Sequence, residues 1–262
     1  MNVRTLHTAR RARTLLVTGA VAAAVVLVGG CGADAGDDTD PETREFAVRG
    51  KALSIDSDDS ALDVVAADVE RVRVTRWFDG ETVLGEDPGV TWRLVDGNRL
   101  ELRVNCDGML SDCSARHRIE VPRAMTVDVL SRDGRVNASG FDTALKVRSH
   151  DGRVVVEESG GALDIDSKDG SVEAVGVESK DVKVRSQDGR VHLELAAVPD
   201  RVDVESNDGS IEIALPDATY EVAADSNDSA VDVTVPRGKD SAHRVAAHSH
   251  DGKVTVRPVS AN

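Results

Sequence analysis

An aspartate recurs at regular intervals through the second half of the chain, in the sequence Ser-x-Asp followed in all copies but one by Gly. Carboxylates at equivalent positions of a repeat could bind Ca²⁺, which prefers clustered oxygen ligands. An aspartate in a turn can instead accept backbone N–H groups. We favour the turn role, because each copy supplies one Asp whereas calcium-binding solenoids use glycine-rich loops with several ligands per turn. The aspartates are Asp133, Asp151, Asp169, Asp188, Asp208, Asp228 and Asp251, and the first five are the calcium candidates.

Other side chains capable of chemistry are weaker candidates. His248 and His250 would share one face of a strand near His243, and with Asp251 they could hold a transition metal, but solvated histidines are the simpler interpretation. No base accompanies the repeated serines, which we expect to bond backbone groups at a corner. The chain has no GxSxG, P-loop, dinucleotide-binding or HExxH motif. We therefore predict no enzyme activity, no catalytic residue, no metal and no cofactor. The serines are Ser131, Ser149, Ser167, Ser186, Ser206, Ser226 and Ser249.

The first cysteine lies at the end of a targeting segment. Residues 1–13 carry Arg4, Arg10, Arg11 and Arg13 and no acid, and an apolar run follows from Leu15 to Val28. Residues 28–31, Val-Gly-Gly-Cys, resemble the lipobox of bacterial lipoproteins, which implies cleavage before Cys31 and its lipidation. A plain signal peptide or an uncleaved anchor is the alternative. We predict a lipoprotein signal peptide over residues 1–30 and a lipid anchor on the outer face of the cell membrane.

The remaining cysteines, Cys106 and Cys113, form an even pair in a chain expected to be exported. Residues 105–108, Asn-Cys-Asp-Gly, favour a turn, so a short loop closed by a disulfide is reasonable. A metal pair is the alternative, but the chain has no second pair with the spacing of zinc ligands. We favour the disulfide.

Composition excludes one class of partner. The net charge is −15 and aromatic residues make up 2% of the chain, so binding of nucleic acid through phosphates or stacked bases is not expected. Residues 31–45 are rich in Asp and Glu and lack a large apolar residue before the repeats begin. They are predicted to form an acidic, disordered tether.

The elements that must position these residues are repeated β-strands. Each copy alternates apolar and polar residues, passes through Ser-x-Asp-Gly, and alternates again, and the serines recur every 18 to 23 residues. Alternation with period two predicts two strands per copy with the apolar side chains on one face. The glycines are expected to supply the positive φ of a tight turn. Residues 53–62 form a degenerate earlier copy.

The pattern of outward-facing charged residues distinguishes among the possible all-β folds. They alternate in sign from copy to copy in two columns, so stacking in register would place opposite charges side by side, and a slip would oppose like charges. This favours an all-β fold, a parallel β-solenoid of about seven coils of 18–20 residues over residues 131–262. The columns are Asp128, Lys146, Asp164, Lys183 and Asp203, and Arg148, Asp166, Arg185 and Glu205.

The two ends of the repeat array are less regular. Residues 46–130 contain strand-like segments, turn signals and both tryptophans, and are predicted to form an irregular β cap. The longer step from Ser226 to Ser249 suggests that the last copy in the sequence is the terminal coil.

Residues 116–136 and the Ser-x-Asp-Gly series resemble a bacterial β-strand-repeat family of unknown function labelled putative adhesin, over roughly residues 46–258. Its members are frequently actinobacterial envelope lipoproteins. The resemblance implies a membrane-tethered, non-catalytic structural or adhesin-like module, with cell-wall polymer or a surface protein as its partner. A role in envelope-stress signalling through a membrane partner is the alternative. Ser229 departs from the family pattern, because it replaces the Gly that follows Asp228.

Overall fold

Residues 35–259 are described by a computed structural model, and they form two large β-sheets that face each other. One sheet has 11 strands and the other 10. The predicted signal peptide, residues 1–30, and the predicted lipidation site Cys31 lie outside the described residues. Within residues 35–259 no helix is long and apolar enough to cross a membrane.

A short 3₁₀ turn, Ala35–Asp37, precedes the strands. The strands are β1 Glu42–Phe46, β2 Ala52–Ser57, β3 Ala61–Ala67, β4 Val72–Gly85, β5 Gly89–Val95, β6 Arg99–Asn105, β7 Gly108–Pro122, β8 Thr126–Ser131, β9 Val136–Ser139, β10 Leu145–Ser149, β11 Val154–Glu157, β12 Leu163–Ser167, β13 Val172–Val177, β14 Asp181–Ser186, β15 Val191–Leu195, β16 Arg201–Ser206, β17 Ile211–Leu215, β18 Glu221–Ser226, β19 Val231–Val233, β20 Arg244–Ser249 and β21 Val254–Pro258.

Each sequence repeat forms one coil with a strand in each sheet. The strand that ends at the serine lies in the 10-stranded sheet, and the strand after the Asp-Gly corner lies in the 11-stranded sheet. Alternation with period two sends Val147 and Ile165 into the space between the sheets, where both are 0% exposed. We name the coils by their serines: Ser57 (β2, β3), Ser131 (β8, β9), Ser149 (β10, β11), Ser167 (β12, β13), Ser186 (β14, β15), Ser206 (β16, β17), Ser226 (β18, β19) and Ser249 (β20, β21).

Neighbouring coils pair in parallel and in register, which confirms the predicted β-solenoid. Lys146 lies opposite Asp164, with 3.0 Å between Nζ and Oδ2. Arg185 lies opposite Glu205, with 3.4 Å between Nε and Oε2. The alternating charges therefore form the outward columns expected from the sequence, while the residues between them fill the core.

The last two coils stack in an order that the sequence analysis predicted wrongly. Strand β20 of the Ser249 coil pairs with β16 on one side and with β18 on the other. The Ser249 coil therefore lies between the Ser206 and Ser226 coils, and the Ser226 coil ends the stack. The long segment after Val233 carries the chain back to an inner position. Repeats adjacent in sequence stack directly from the Ser131 coil to the Ser206 coil, but not here.

At the opposite end, the degenerate copy forms the Ser57 coil, which stacks on the Ser131 coil. Strands β6 and β7 extend the two sheets in parallel beyond it, and β5, β4 and β1 follow in antiparallel pairing. Trp92 is buried there against Phe46, with ring centroids 6.3 Å apart. Because Glu42–Phe46 pairs with β4, ordered structure begins within the segment predicted to be a disordered tether.

Candidate functional site

The Ser-x-Asp-Gly corner places one aspartate at the same point of each repeated coil. The backbone ladder continues around the corner, because the N–H of Asp151 donates to the Arg132 carbonyl at 2.9 Å and that of Asp169 to the His150 carbonyl at 2.9 Å. The side chains consequently follow one another at the spacing between coils, about 4.8 Å. With Asp59 of the Ser57 coil they form a row that we call the carboxylate ladder. In stacking order it contains Asp59, Asp133, Asp151, Asp169, Asp188, Asp208, Asp251 and Asp228.

The serine of the corner acts as the sequence analysis expected. The buried hydroxyl of Ser149 donates to the Gly152 carbonyl at 2.8 Å, and that of Ser167 to the Gly170 carbonyl at 2.7 Å. In the terminal coil, Ser226 donates instead to the Gly252 carbonyl of the neighbouring coil, at 3.0 Å. These bonds satisfy carbonyl groups that would otherwise be buried without a partner at the corner.

The glycine of the corner is required for a different reason from the one predicted. Among the described glycines, positive φ occurs at Gly50, Gly97, Gly140 and Gly176. None of these four lies in a Ser-x-Asp-Gly corner. A Cβ on Gly170 would instead lie 2.1 Å from the carbonyl oxygen of Gly152 in the preceding coil. The corners approach so closely that only a residue without a side chain fits. The same contact recurs at Gly134, Gly152, Gly189, Gly209 and Gly252.

The prediction that the aspartate carboxylates accept backbone N–H groups in their own turns is wrong. In residues 35–259 no ladder carboxylate accepts a hydrogen bond from a turn N–H. Asp151 is instead bonded to His150 Nδ1 at 2.5 Å, and Asp251 to His250 Nδ1 at 2.6 Å. The backbone hydrogen bonds between coils already use the N–H groups at the corner, which leaves the carboxylates to face solvent and one another.

Close carboxylates change one another's titration. A hydrogen bond with Asp59 raises the pKa of Asp133. Partial desolvation and the adjacent Asp151 raise the pKa of Asp169, whereas the hydrogen bond from His150 lowers the pKa of Asp151. Because these three carboxylates lie next to one another, Asp133, Asp151 and Asp169 titrate together rather than as independent groups.

Two groups in the ladder bring three metal-ligating side chains together. They are Asp133, His150 and Asp151, and Asp228, His250 and Asp251, with ligand atoms within 4.8 Å of one another in each group. All six side chains are exposed, and each histidine already has a carboxylate partner. Calcium binding by the ladder stays the disfavoured alternative to the prediction of no metal.

The three histidines considered together in the sequence analysis are separated in the structure. His248 Nδ1 lies 2.6 Å from Asp225 Oδ2, and His250 pairs with Asp251. His243 Nδ1 lies 2.8 Å from the Pro199 carbonyl. The structure therefore gives each imidazole its own partner instead of assembling one metal centre.

Sequence reasoning missed the buried His117 in β7. It is 0% exposed, and neither ring nitrogen has a hydrogen-bond partner among the described residues. Burial, together with the nearby Arg76 guanidinium, lowers the pKa of His117 to about 3. The signal was present in the alternation of β7, which points His117 to the same inward face as Ile119 and Val121.

The cysteine pair lies where β6 leads into β7. Cys106 and Cys113 form a disulfide in the structure, with Cα atoms 6.1 Å apart. Cys113 lies on β7 opposite Gly80 of β4, so the bond ties the end of β6 to the β4–β7 pair.

The fold and its corner ladder define a two-sheet parallel β-solenoid with charged outer faces. The chain belongs to the Toastrack DUF4097 family, whose model matches residues 117–261, which confirms the resemblance seen in the sequence. No curated protein matches the chain significantly.

Solved structures with a similar fold include two bacterial proteins. A putative adhesin from Parabacteroides merdae is 12% identical, with 85% of this chain and 98% of that chain covered and a TM-score of 0.43. A putative cell adhesion protein from Clostridium sporogenes is 10% identical, with 84% and 99% covered and a TM-score of 0.36. The likeness concerns the fold alone.

Proposed function

We propose that the protein is a lipid-anchored lipoprotein on the outer face of the cell membrane and acts as a non-catalytic, adhesin-like interaction module. The in-register stack carries this proposal, because it holds long columns of charged side chains in fixed positions on the outer faces. A stack held by continuous backbone pairing and a buried core keeps such a surface in one shape. The lipobox-like sequence before Cys31 supports the membrane anchor.

The charge of the module favours one kind of partner. The chain has a net charge of −15, and the carboxylate ladder adds a continuous acidic edge. An anionic wall polymer would be repelled unless cations bridge the two surfaces. A surface protein with a basic patch is attracted directly, and long-range attraction of this kind accelerates association. We therefore place a basic protein surface before cell-wall polymer among the expected partners.

Chemical crosslinking on intact cells, followed by capture of the full chain, tests the function. We expect the native chain to fractionate with membranes and to crosslink to surface components, and Cys31→Ala to be released or to remain an uncleaved precursor. A Cys31→Ala protein that still behaves as mature membrane-bound material would contradict the anchor. A native chain that crosslinks to no surface component would contradict the interaction role. Crosslinking to a membrane sensor would favour the signalling alternative.

Export also predicts the state of the two cysteines. Mass spectrometry of non-reduced peptides from the chain recovered from cells should find Cys106 linked to Cys113. Two free thiols that react fully with an alkylating reagent would contradict both the bond and an oxidising location.

A further inference from the structure

The Ser226 coil ends the stack of described strands, and none of those strands covers its outer backbone edge. Among the described strands, β18 pairs only with β20, and β19 only with β21. The opposite edges of β18 and β19 therefore present a row of N–H and C=O groups without strand partners. Such edges are templates for the addition of another strand.

The apolar layer of this coil is incompletely buried. Val231 is 41% exposed, and Val222, Ala224 and Val233 are only partly buried. They line a groove of about 370 Å³ with Arg237 and Asp232. The equivalent positions one coil inward, Val245, Ala247, Val254 and Val256, are at most 1% exposed. The terminal coil thus exposes inward-facing side chains of the kind that every inner coil buries.

The chain covers only the beginning of this surface. The segment after β19 returns over Tyr220, whose N–H donates to the Pro236 carbonyl at 2.9 Å, and the Gly238 N–H donates to the Tyr220 carbonyl at 2.9 Å. Tyr220 is 0% exposed as a result. Beyond Glu221 no described strand covers the edge, and the groove is bordered by Arg237.

The two strands of the terminal coil carry acidic residues and no basic ones, although Arg237 from the segment after β19 lines one side of the groove. Residues 217–233 contain five acidic residues and no Lys, Arg or His. Glu221 is paired with Arg244 at 3.1 Å and Asp225 with His248 at 2.6 Å, both on the inner side. Because side chains of opposite charge pair across neighbouring strands, the next strand outward would place basic residues beside Glu221, Asp225 and Asp232.

The other end of the molecule shows what covers such a coil. Residues 52–67 of the Ser57 coil also contain acids and no base. The strands β6 and β7 lie on its edges and supply arginines: Arg103 Nη2 lies 3.0 Å from Asp56, and Arg116 Nε lies 2.9 Å from Asp63. An acidic end coil in this fold is therefore completed by strands that carry apolar residues inward and arginines outward.

We propose that the open edge of the Ser226 coil binds an extended, basic segment of another protein by strand addition, with apolar side chains over the Val222–Val233 groove and Lys or Arg beside Asp225 and Asp232. A second copy of this chain fits less well, because it would bring five acids against five acids. The inference rests on the proposed interaction role and deepens it by naming the surface and the chemistry of the partner.

Fluorescence anisotropy with a labelled Arg-Val-Arg-Val-Arg-Val peptide tests the inference on the full chain. We expect saturable binding by the native chain, weakened about tenfold or more by the double variant Asp225→Lys with Asp232→Lys. The matched control, Glu157→Lys with Glu178→Lys, makes the same change in net charge on exposed mid-stack positions and should leave the affinity within about twofold. A Glu-Val-Glu-Val-Glu-Val peptide should not bind the native chain. Circular dichroism checks that every variant is folded.

Absence of peptide binding, or equal weakening by both double variants, would overturn the inference. A dimer of the native chain that Val231→Lys converts to a monomer in sedimentation velocity would also overturn it, since a second copy would then be the occupant. If the native chain still crosslinks to surface components on cells, only this edge assignment fails and the proposed function stands.

Discussion

The two end coils of the stack are alike in sequence and opposite in environment. The Ser57 and Ser226 coils are the two without the corner glycine, with Ser60 and Ser229 in its place, and both lack basic residues. The Ser57 coil lies beneath β6 and β7, with β5, β4 and β1 beyond them, whereas no strand within residues 35–259 pairs with the outer edges of the Ser226 coil. A coil therefore departs from the repeat pattern where it lacks another coil on one side. The Ser57 coil shows that strands carrying arginines can cover such an acidic end.

Truncating an apolar side chain should show the largest difference in stability loss between the two end coils, because only one of these side chains is fully buried. Ile55 in the Ser57 coil is 0% exposed, and Val231 in the Ser226 coil is 41% exposed. We expect Ile55→Ala to reduce the free energy of unfolding by about 2–5 kcal/mol, because it leaves a cavity in a packed layer. Val231→Ala should cost less than about 1 kcal/mol. Urea denaturation of both variants makes the measurement, and equal losses would contradict the open end.

Substitution at the corner position should give the next largest difference in stability loss, between an inner coil and the terminal coil. Gly170→Ala would place a methyl group 2.1 Å from the Gly152 carbonyl, against backbone that cannot move aside cheaply. We expect a loss of about 1–3 kcal/mol or more, typical of overpacking. Ser229→Ala in the terminal coil, which already carries a side chain at this position, should change stability by less than about 0.5 kcal/mol. Thermal unfolding distinguishes these outcomes, and a harmless Gly170→Ala would refute the close-approach explanation.

Histidines near the two ends should respond to pH with opposite sign. His117 has its pKa lowered to about 3, so below pH 6.5 the unfolded chain binds a proton that the folded chain does not. Its contribution therefore reduces stability by about 1.4 kcal/mol per pH unit as the pH falls from about 6 towards 3. His250 has its pKa raised by Asp251, so its stabilisation is present at low pH and is lost as the pH rises through the folded pKa.

Urea denaturation between pH 4 and pH 8 checks this opposition. Relative to the native chain, His117→Leu should gain stability as the pH falls, whereas His250→Asn should lose stability at pH 6 more than at pH 8. An unchanged pH profile in His117→Leu would show that the ring is hydrated and titrates normally.

Replacing an arginine that lies over the Ser57 coil should give the smallest loss of stability. Arg103 contacts Asp56 and Asp58, and its Nη1 donates to the Asp56 carbonyl at 2.7 Å. Because its side chain is 33% exposed, we expect Arg103→Met to cost about 1 kcal/mol. Arg123→Met, which breaks a more exposed pair with Asp68, serves as the control and should cost less than about 0.5 kcal/mol. Equal stability of the two variants in urea would argue against a specific role of Arg103 in stabilising the Ser57 coil.

The order of the last coils shows where sequence reasoning stopped. The long step between Ser226 and Ser249 predicts a terminal coil at Ser249, but the Ser226 coil is terminal. Ser229 and the acidic run over residues 217–233 were the better signals, since an inner corner requires glycine and alternating charge. Ser229 became interpretable only when the contact between successive corner glycines was known.

The period of the strands, their inward and outward faces and the register of neighbouring coils could be predicted from the sequence, because alternation and charge pairing are local and repeated. The resemblance to the family was also visible in the repeated motif. The tertiary structure was needed to show which coils are neighbours at the end of the stack and why the corner requires glycine. It likewise decided that the carboxylates form one ladder and that His117 is buried without a partner. Those features depend on contacts between residues far apart in the chain, which the local alternation of apolar and polar residues does not specify.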